Sequence, residues 1–322
     1  MKSIQFDRYG SPDYLRFVEK AIPSPKPDEV LVKICASSIN SWDWELLHAR
    51  PFANRVMFGL FKPTRLKTLG IDIAGCVEKT GSEVKKFKVG DKVYGDLSAC
   101  GMGGYAEYVA APESALAHMP ENISFEQAAS VPQAALMSLQ GLQQAGIRDG
   151  QHVLINGASG GSGTFAIQIA KTFDVEITGV CSGAKMDFVR SLGVDHVIDY
   201  QTQDYTRSGQ QYDVIIDAQA HHGLRKCKRA LSPGGSYVAH GGASGIIAKL
   251  ILFGPLLSRI DNKKVAILFH KANKGLDEIG ELLARGKITP VIDQVFPFDK
   301  TIDALRYYGD GLAKGKVVIS ME

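Results

Sequence analysis

The sequence predicts an α/β fold in two parts: a largely β first part, then a doubly wound parallel sheet. Three observations carry the prediction. Residues 1 to about 120 alternate short apolar runs with turn signals, an all-β pattern. Beyond about residue 124 the pattern becomes strand–helix alternation, which implies a parallel sheet with helices on both faces. At the head of that second part, Gly157-Ala158-Ser159-Gly160-Gly161-Ser162-Gly163 separates an apolar strand from a stretch with helical spacing. A strand, a glycine turn and a helix in that order form a phosphate cradle. The glycines let the backbone approach a diphosphate, and the helix presents free N–H groups and its positive end.

Length and composition agree with this reading. The 322 residues suffice for two domains with a substantial core. Apolar residues make up 45% and charged residues 22%, ordinary values for a soluble globular chain. A net charge of +3 is too slight to argue for nucleic acid, and no Lys/Arg cluster is interleaved with aromatics as such a face requires. Cys35, Cys76, Cys100, Cys181 and Cys227 are scattered and form no CxxC pair, so reduced thiols and a cytoplasmic protein are expected.

Taken in order, Met1-Lys2-Ser3-Ile4-Gln5-Phe6-Asp7 reads as a strand and not a signal peptide. Strands are expected at 15–19, 30–36, 73–78, 92–94 and 106–109, with Pro23, Pro25 and Pro27 marking a loop. Residues 40–69 interrupt the β pattern with a long connection rich in aromatics and cations, which favours function over a plain surface loop. In the second part, strands are expected at 152–156, 175–180, 196–199, 214–217, 237–240 and 265–269, six as a dinucleotide fold needs. Helices fill the gaps at 162–173, 184–192, 221–231 and 246–259. The stretch 245–257 is the most apolar. It contains Lys249, Gly254 and Pro255, is too short to span a bilayer, and reads first as a buried helix, second as a surface touching a membrane or partner. His221-His222 opens the 221–231 helix and reads as solvated. The tail holds a helix at 276–285, a strand at 291–296, a helix at 302–308 and a strand at 316–319, and returns to the first domain.

Several segments together carry a family resemblance. They are Val89-Gly90-Asp91-Lys92-Val93-Tyr94-Gly95, Gly104-Tyr105-Ala106-Glu107-Tyr108, Val131-Pro132, the 157–163 turn, Arg190-Ser191-Leu192-Gly193-Val194-Asp195-His196-Val197-Ile198-Asp199-Tyr200 and Gly315-Lys316-Val317-Val318. The chain resembles the medium-chain dehydrogenase/reductase family, specifically its zinc-independent quinone oxidoreductase branch. Gly59-Leu60-Phe61-Lys62 and Gly286-Lys287-Ile288-Thr289-Pro290-Val291-Ile292-Asp293 look closest to enone and chloroplast-envelope quinone oxidoreductases. The resemblance implies a GroES-like β domain (1–123, completed by 287–322) and a Rossmann domain (124–286), with the nicotinamide in the cleft between them. It also implies a homodimer joined at the Rossmann-sheet edges. Where the zinc enzymes carry Gly-His-Glu, this chain has Gly70-Ile71-Asp72. It also lacks their cysteine ligand and their four-cysteine lobe, so no metal is expected.

The second Rossmann strand is followed by Cys181-Ser182-Gly183-Ala184-Lys185, with no Asp or Glu to bond a ribose 2′-hydroxyl. Ser182 and Lys185 suit a 2′-phosphate, so NADPH is expected, with Tyr200 matching a tyrosine that lines this pocket in relatives. Gly160, Gly161 and Ser162 are expected at the diphosphate, and Ser138 near the nicotinamide. His240-Gly241 and Leu268-Phe269-His270 close the fifth and sixth strands and are expected to face the cofactor, and Lys316 matches a family position near it. Each of these weaker contacts equally suits packing or turn chemistry.

The implied reaction is hydride transfer to a quinone or to the β-carbon of an enone, with charge appearing on oxygen. Lys62 is the first candidate to stabilise it, by resemblance. Asn40 and Asp43 match a family Asn-x-x-Asp motif, and Trp42, Phe61 and Tyr94 are candidate apolar walls for a small hydrophobic carbonyl or quinone. Two other readings stay open. One is an enoyl-thioester reductase, using Arg50, Arg55, Lys62, Arg65 and Lys67 as a phosphate track. The other is an NADPH-binding redox sensor or partner scaffold with little turnover.

Overall fold

The computed structural model describes residues 1–258 and 262–321. The chain forms two compact units. One comprises Met1–Gln133, Ala272–Arg285 and Pro290–Glu322, and the other Ala134–Lys271 and Gly286–Thr289. The division thus falls about ten residues later than the change of pattern at 124, and the 272–285 segment belongs to the β unit. The short helix Phe125–Ala129 explains the difference, because it packs on the strands Glu29–Ile39 and Asp72–Thr80.

The β unit is built on a sheet in the spatial order Ile292–Pro297, Lys316–Ser320, Glu29–Ile39, Asp72–Thr80, Lys92–Asp96 and Ala117–His118, with Tyr108–Pro112 pairing Glu29–Ile39. Period-2 alternation sends Val30, Val32 and Ile34 into one core with Ile73, Val77 and Val93. On the closing strand Val317 and Ile319 enter a second core with Ile39, Leu46, Leu69, Ala304 and Leu305. A separate hairpin pairs Lys2–Gln5 with Arg16–Glu19. The 40–69 connection holds two short helices, Ser41–Leu47 and Ala53–Phe58.

The second unit is a six-stranded parallel sheet in the order His196–Asp199, Glu176–Cys181, His152–Asn156, Tyr212–Asp217, Leu231–Ala239, Lys264–Ile267. Counted along the chain, this is the order 3-2-1-4-5-6 of a dinucleotide fold, whose switch point lies between its first and fourth strands. Helix Gly161–Ala170 buries Phe165, Ala166, Ile167, Ile169 and Ala170, so its outer turns offer little polar surface.

Three expectations are corrected here. Helix Ser244–Leu257 is not buried. Only Leu250 and Gly254 are enclosed, while Leu252 is 70% and Leu256 60% exposed. Residue 259, its expected end, lies outside the described residues. No helix among the described residues is long and apolar enough to cross a membrane. The helix expected from His221 begins instead at Leu224, capped by Gly223. His222 is tucked 3.6 Å from Asp204, while His221 stays exposed. Tyr94 cannot wall a substrate from the surface, since it is wholly buried in the β unit with its hydroxyl donating to the Leu276 carbonyl at 3.3 Å.

Candidate nucleotide-binding site

Within the parallel unit, strand His152–Asn156 leads directly into the glycine turn. The N–H groups of Gly157 and Ala158 both donate to the Val180 carbonyl, at 3.1 and 3.0 Å, which pins the turn to the second strand. Gly157 has φ 85°, and a Cβ on Gly163 would lie 2.2 Å from the Gly157 carbonyl oxygen. Both positions therefore require glycine. Gly160 caps the helix with no side-chain bond, so the first-turn N–H groups have no intrahelical acceptor. A helix start with its dipole and bare amides is suited to an anion.

Three predicted residues converge on this turn. The Ser138 hydroxyl reaches the Ser162 carbonyl at 2.6 Å and the Ala134 carbonyl at 2.9 Å. The Ser162 hydroxyl lies 3.0 Å from His240 Nε2. His240 ends the fifth strand, its N–H donating to the Asp217 carbonyl at 3.0 Å. Burial, aided by nearby His270, pushes the imidazole down to about 4, so it is neutral at physiological pH. Among the described residues its buried Nδ1 has no hydrogen-bond partner. A neutral imidazole has one donor and one acceptor nitrogen, so this atom is an unused polar contact beside the phosphate cradle. Gly241 also needs its glycine, as a Cβ would lie 2.5 Å from the Ala218 carbonyl oxygen. Leu268 is nearly buried and extends the ladder by donating to the Ala239 carbonyl at 2.8 Å, whereas Phe269 is exposed.

Beside the segment after the second strand lies a residue that sequence reading missed. Ser182 caps a single turn, Gly183–Lys185, and Tyr200 is exposed beside it, its N–H donating to the Cys181 carbonyl. Parallel pairing of Asp199 with Cys181 brings the Asp199 carboxylate against this turn, where a Cβ on Gly183 would lie 2.8 Å from its oxygen. The turn itself carries no acid, but the neighbouring strand supplies one. Strand register, invisible to local pattern, is what brings it in.

The remaining predicted residues lie in the β unit. Asn40 donates from Nδ2 to Asp72 at 3.0 Å, and Lys316 donates to the Asn40 amide oxygen and, at 3.1 Å, to the Ile39 carbonyl. Lys316 also pairs with Asp72 at 3.7 Å. Asp72, wholly buried, further accepts from Gln133 N–H at 3.0 Å and the Ser38 hydroxyl at 3.3 Å. Burial raises the Asp72 carboxyl and lowers the Lys316 ammonium, while their mutual attraction opposes both shifts. Asp43 accepts from the N–H groups of Asn40 at 3.0 Å and Gly70 at 2.9 Å, and burial raises it to about 7. Lys316 is thus engaged with internal partners, and Asp43 ties the start of helix Ser41–Leu47 to Gly70. Lys62 and Phe61 are exposed on the 40–69 connection. Among the described residues no group of three His, Cys, Asp or Glu side chains is arranged to hold a metal.

Comparison with known proteins agrees with this architecture. Residues 26–121 match the alcohol dehydrogenase GroES-like domain, and residues 192–319 match the zinc-binding dehydrogenase domain. The chain is 35% identical to the chloroplastic quinone-oxidoreductase QR1 of Triphysaria versicolor over 99% of this chain and 98% of that protein. It is 34% identical to the 2-methylene-furan-3-one reductase of Solanum lycopersicum, over 99% of this chain and 79% of the relative. The solved quinone oxidoreductase of Coxiella burnetii superposes with a TM-score of 0.89 at 29% identity, covering 100% of this chain and 99% of that one. A glycine-turn cradle at the switch point, a GroES-like unit and full-length relatives at this identity place the chain in the medium-chain dehydrogenase/reductase family, in its quinone oxidoreductase branch.

Proposed function

We propose that the protein is an NADPH-dependent oxidoreductase that transfers hydride to a quinone or to the activated C=C of an enone without a metal. The observation that supports this most directly is the 157–163 turn at the sheet's switch point, with bare helix amides and the unused His240 nitrogen beside it. The acceptor classes are those in the names of the similar proteins. When bound, the nicotinamide supplies the hydride, and the chain's own task is to hold, orient and stabilise charge. Gly160, Gly161 and Ser162 are read as diphosphate contacts, with His240 and Ser138 fixing Ser162. Ser182 and Lys185 support a 2′-phosphate, and Asp199 works against one.

On the acceptor side, Lys62 is proposed to stabilise charge developing on oxygen. Asn40 and Asp43 are read as positioning residues, with Lys316 orienting the Asn40 amide. Replacing Lys62 by Ala is expected to lower kcat by about a hundredfold, and unchanged kinetics removes Lys62 from the mechanism. An enoyl thioester is the second acceptor reading, supported by the exposed cations at Arg50, Lys62, Arg65 and Lys67. A homodimer is also inferred, since the sheet ends at strand Lys264–Ile267. Cytoplasmic placement rests on the five free thiols.

The deciding assay follows NADPH oxidation across quinones, short enones, enoyl thioesters and aldehydes, with NADH as control. Turnover of quinones or enones, slower with NADH, is expected. Tight NADPH binding without turnover replaces the reading with that of a redox sensor or scaffold. Equal use of NADH rejects the role given to Ser182 and Lys185.

A further inference from the structure

We propose that the 50–67 segment of the β unit is a docking surface for an anionic lipid bilayer. Phe52 is 66% exposed, Val56 66%, Met57 54%, Leu60 48% and Phe61 87%. Five large apolar side chains within ten residues therefore face water, a concentration of exposed apolar surface that marks an interaction site. The same segment carries Arg50, Arg55, Lys62, Arg65 and Lys67, and no Asp or Glu occurs between Glu45 and Asp72. None of these five cations has a carboxylate partner within ion-pair distance among the described residues. Exposed apolar groups interspersed along the segment with unneutralised cations fit the interface of a bilayer, where acyl chains take the first and anionic headgroups the second.

The segment is folded and tied to the rest of the β unit. Tyr9 donates to the Gly59 carbonyl at 2.8 Å, and the Arg55 guanidinium lies over the Tyr9 ring at 5.0 Å. Arg55 donates to the Leu60 carbonyl at 3.3 Å, Arg65 to the Met57 carbonyl at 3.1 Å and Lys67 to the Pro63 carbonyl at 3.0 Å. These bonds to carbonyls hold three of the five cations in place without cancelling their charge. Leu66, Pro63 and Asn54 are buried and anchor the segment. The exposed set also chooses among partners. Three of its five members, Val56, Met57 and Leu60, have no ring, which suits acyl chains better than the stacked bases of a nucleic acid. Helix Ser244–Leu257 exposes a similar apolar face but carries only Lys249, so charge separates the two surfaces.

The test is co-sedimentation of the full-length protein with vesicles of phosphatidylcholine alone and of phosphatidylcholine with phosphatidylserine. Binding to the anionic vesicles only, weakened by salt, is expected. The double variant Phe52→Ser/Met57→Ser should lower the partition coefficient at least about tenfold. Arg50→Gln and Arg65→Gln should each lower it about fivefold. Unchanged circular dichroism and NADPH affinity in these variants show that folding is intact. No binding to anionic vesicles, equal binding by the variants, or release by inorganic phosphate at matched ionic strength overturns the proposal. Capture of single-stranded RNA or an acidic peptide in place of vesicles also overturns it.

Discussion

His240 and Asp199 are the two residues whose surroundings bear most directly on the proposed nucleotide site. His240 is neutral because burial opposes its charged form, so it can present either a donor or an acceptor to Ser162 and the opposite function at Nδ1. Its replacement by Phe removes the Ser162 bond and the free nitrogen together. NADPH affinity, measured by titration calorimetry, should fall about five- to tenfold. The loss should be flat between about pH 6 and 8, because the imidazole does not titrate there. Asp199 acts in the other direction. Its carboxylate lies against the Gly183–Lys185 turn, where it would repel the 2′-phosphate that Lys185 is proposed to attract. Asp199→Asn should raise the NADPH-over-NADH ratio of kcat/KM by up to about fivefold, the scale of a solvent-screened charge pair. A fall in that ratio would mean that Asp199 bonds a ribose hydroxyl and that the enzyme prefers NADH.

At the scale of elements, the glycine turn separates steric need from ligand contact. A methyl on Gly163 would collide with the Gly157 carbonyl, whereas one on Gly160 would come no nearer than 3.5 Å to that same oxygen, at an unremarkable φ of −86°. Gly163→Ala should therefore cost about 1–3 kcal/mol of stability, seen as a lower melting temperature. Gly160→Ala should leave melting nearly unchanged. The turn was legible because it interrupts a period-2 run and starts a 3.6-period one within a few residues. The same logic found His152–Asn156 and His196–Asp199 at their observed limits. It failed for helix Pro132–Ala145, where Ala134, Ala135, Leu136, Leu139, Leu142 and Ala145 are all buried and Gly141 interrupts the interior. Its surface-facing polar residues, Gln140, Gln143 and Gln144, are confined to the last turns, while Gln133 and Ser138 are buried, so the period is only weakly marked. Helix Ser244–Leu257 is the opposite case, since apolar composition suggested burial and the structure leaves it open. Asp199 and Tyr94 show the same limit at single positions, because pairing and burial depend on strands distant in sequence.

For the whole molecule, the buried acids of the β unit set an expected dependence of stability on pH. Asp43 is held near 7 by burial and Asp72 is also raised, although Lys316 opposes its shift. A carboxyl whose folded pKa is raised binds a proton that the unfolded chain releases from about pH 4 upward. Its contribution is fully present below that value and is lost as pH rises toward 7, by as much as ~4 kcal/mol for Asp43. Glu29 and Asp204 are lowered and work in the opposite sense, gaining stability across the acid range. The informative quantity is therefore the difference between the protein and its Asp43→Asn variant. Urea unfolding from about pH 4 to 8 should show a shallower decline of stability in the variant, with the gap between the two curves widening up to about pH 7 and levelling off above it. Both tryptophans, Trp42 and Trp44, sit in the helix Ser41–Leu47 that Asp43 ties to Gly70. Tryptophan fluorescence thus follows the unit that holds the titrating group, and parallel curves for the two proteins would show that Asp43 is ionised in the native state across the whole range.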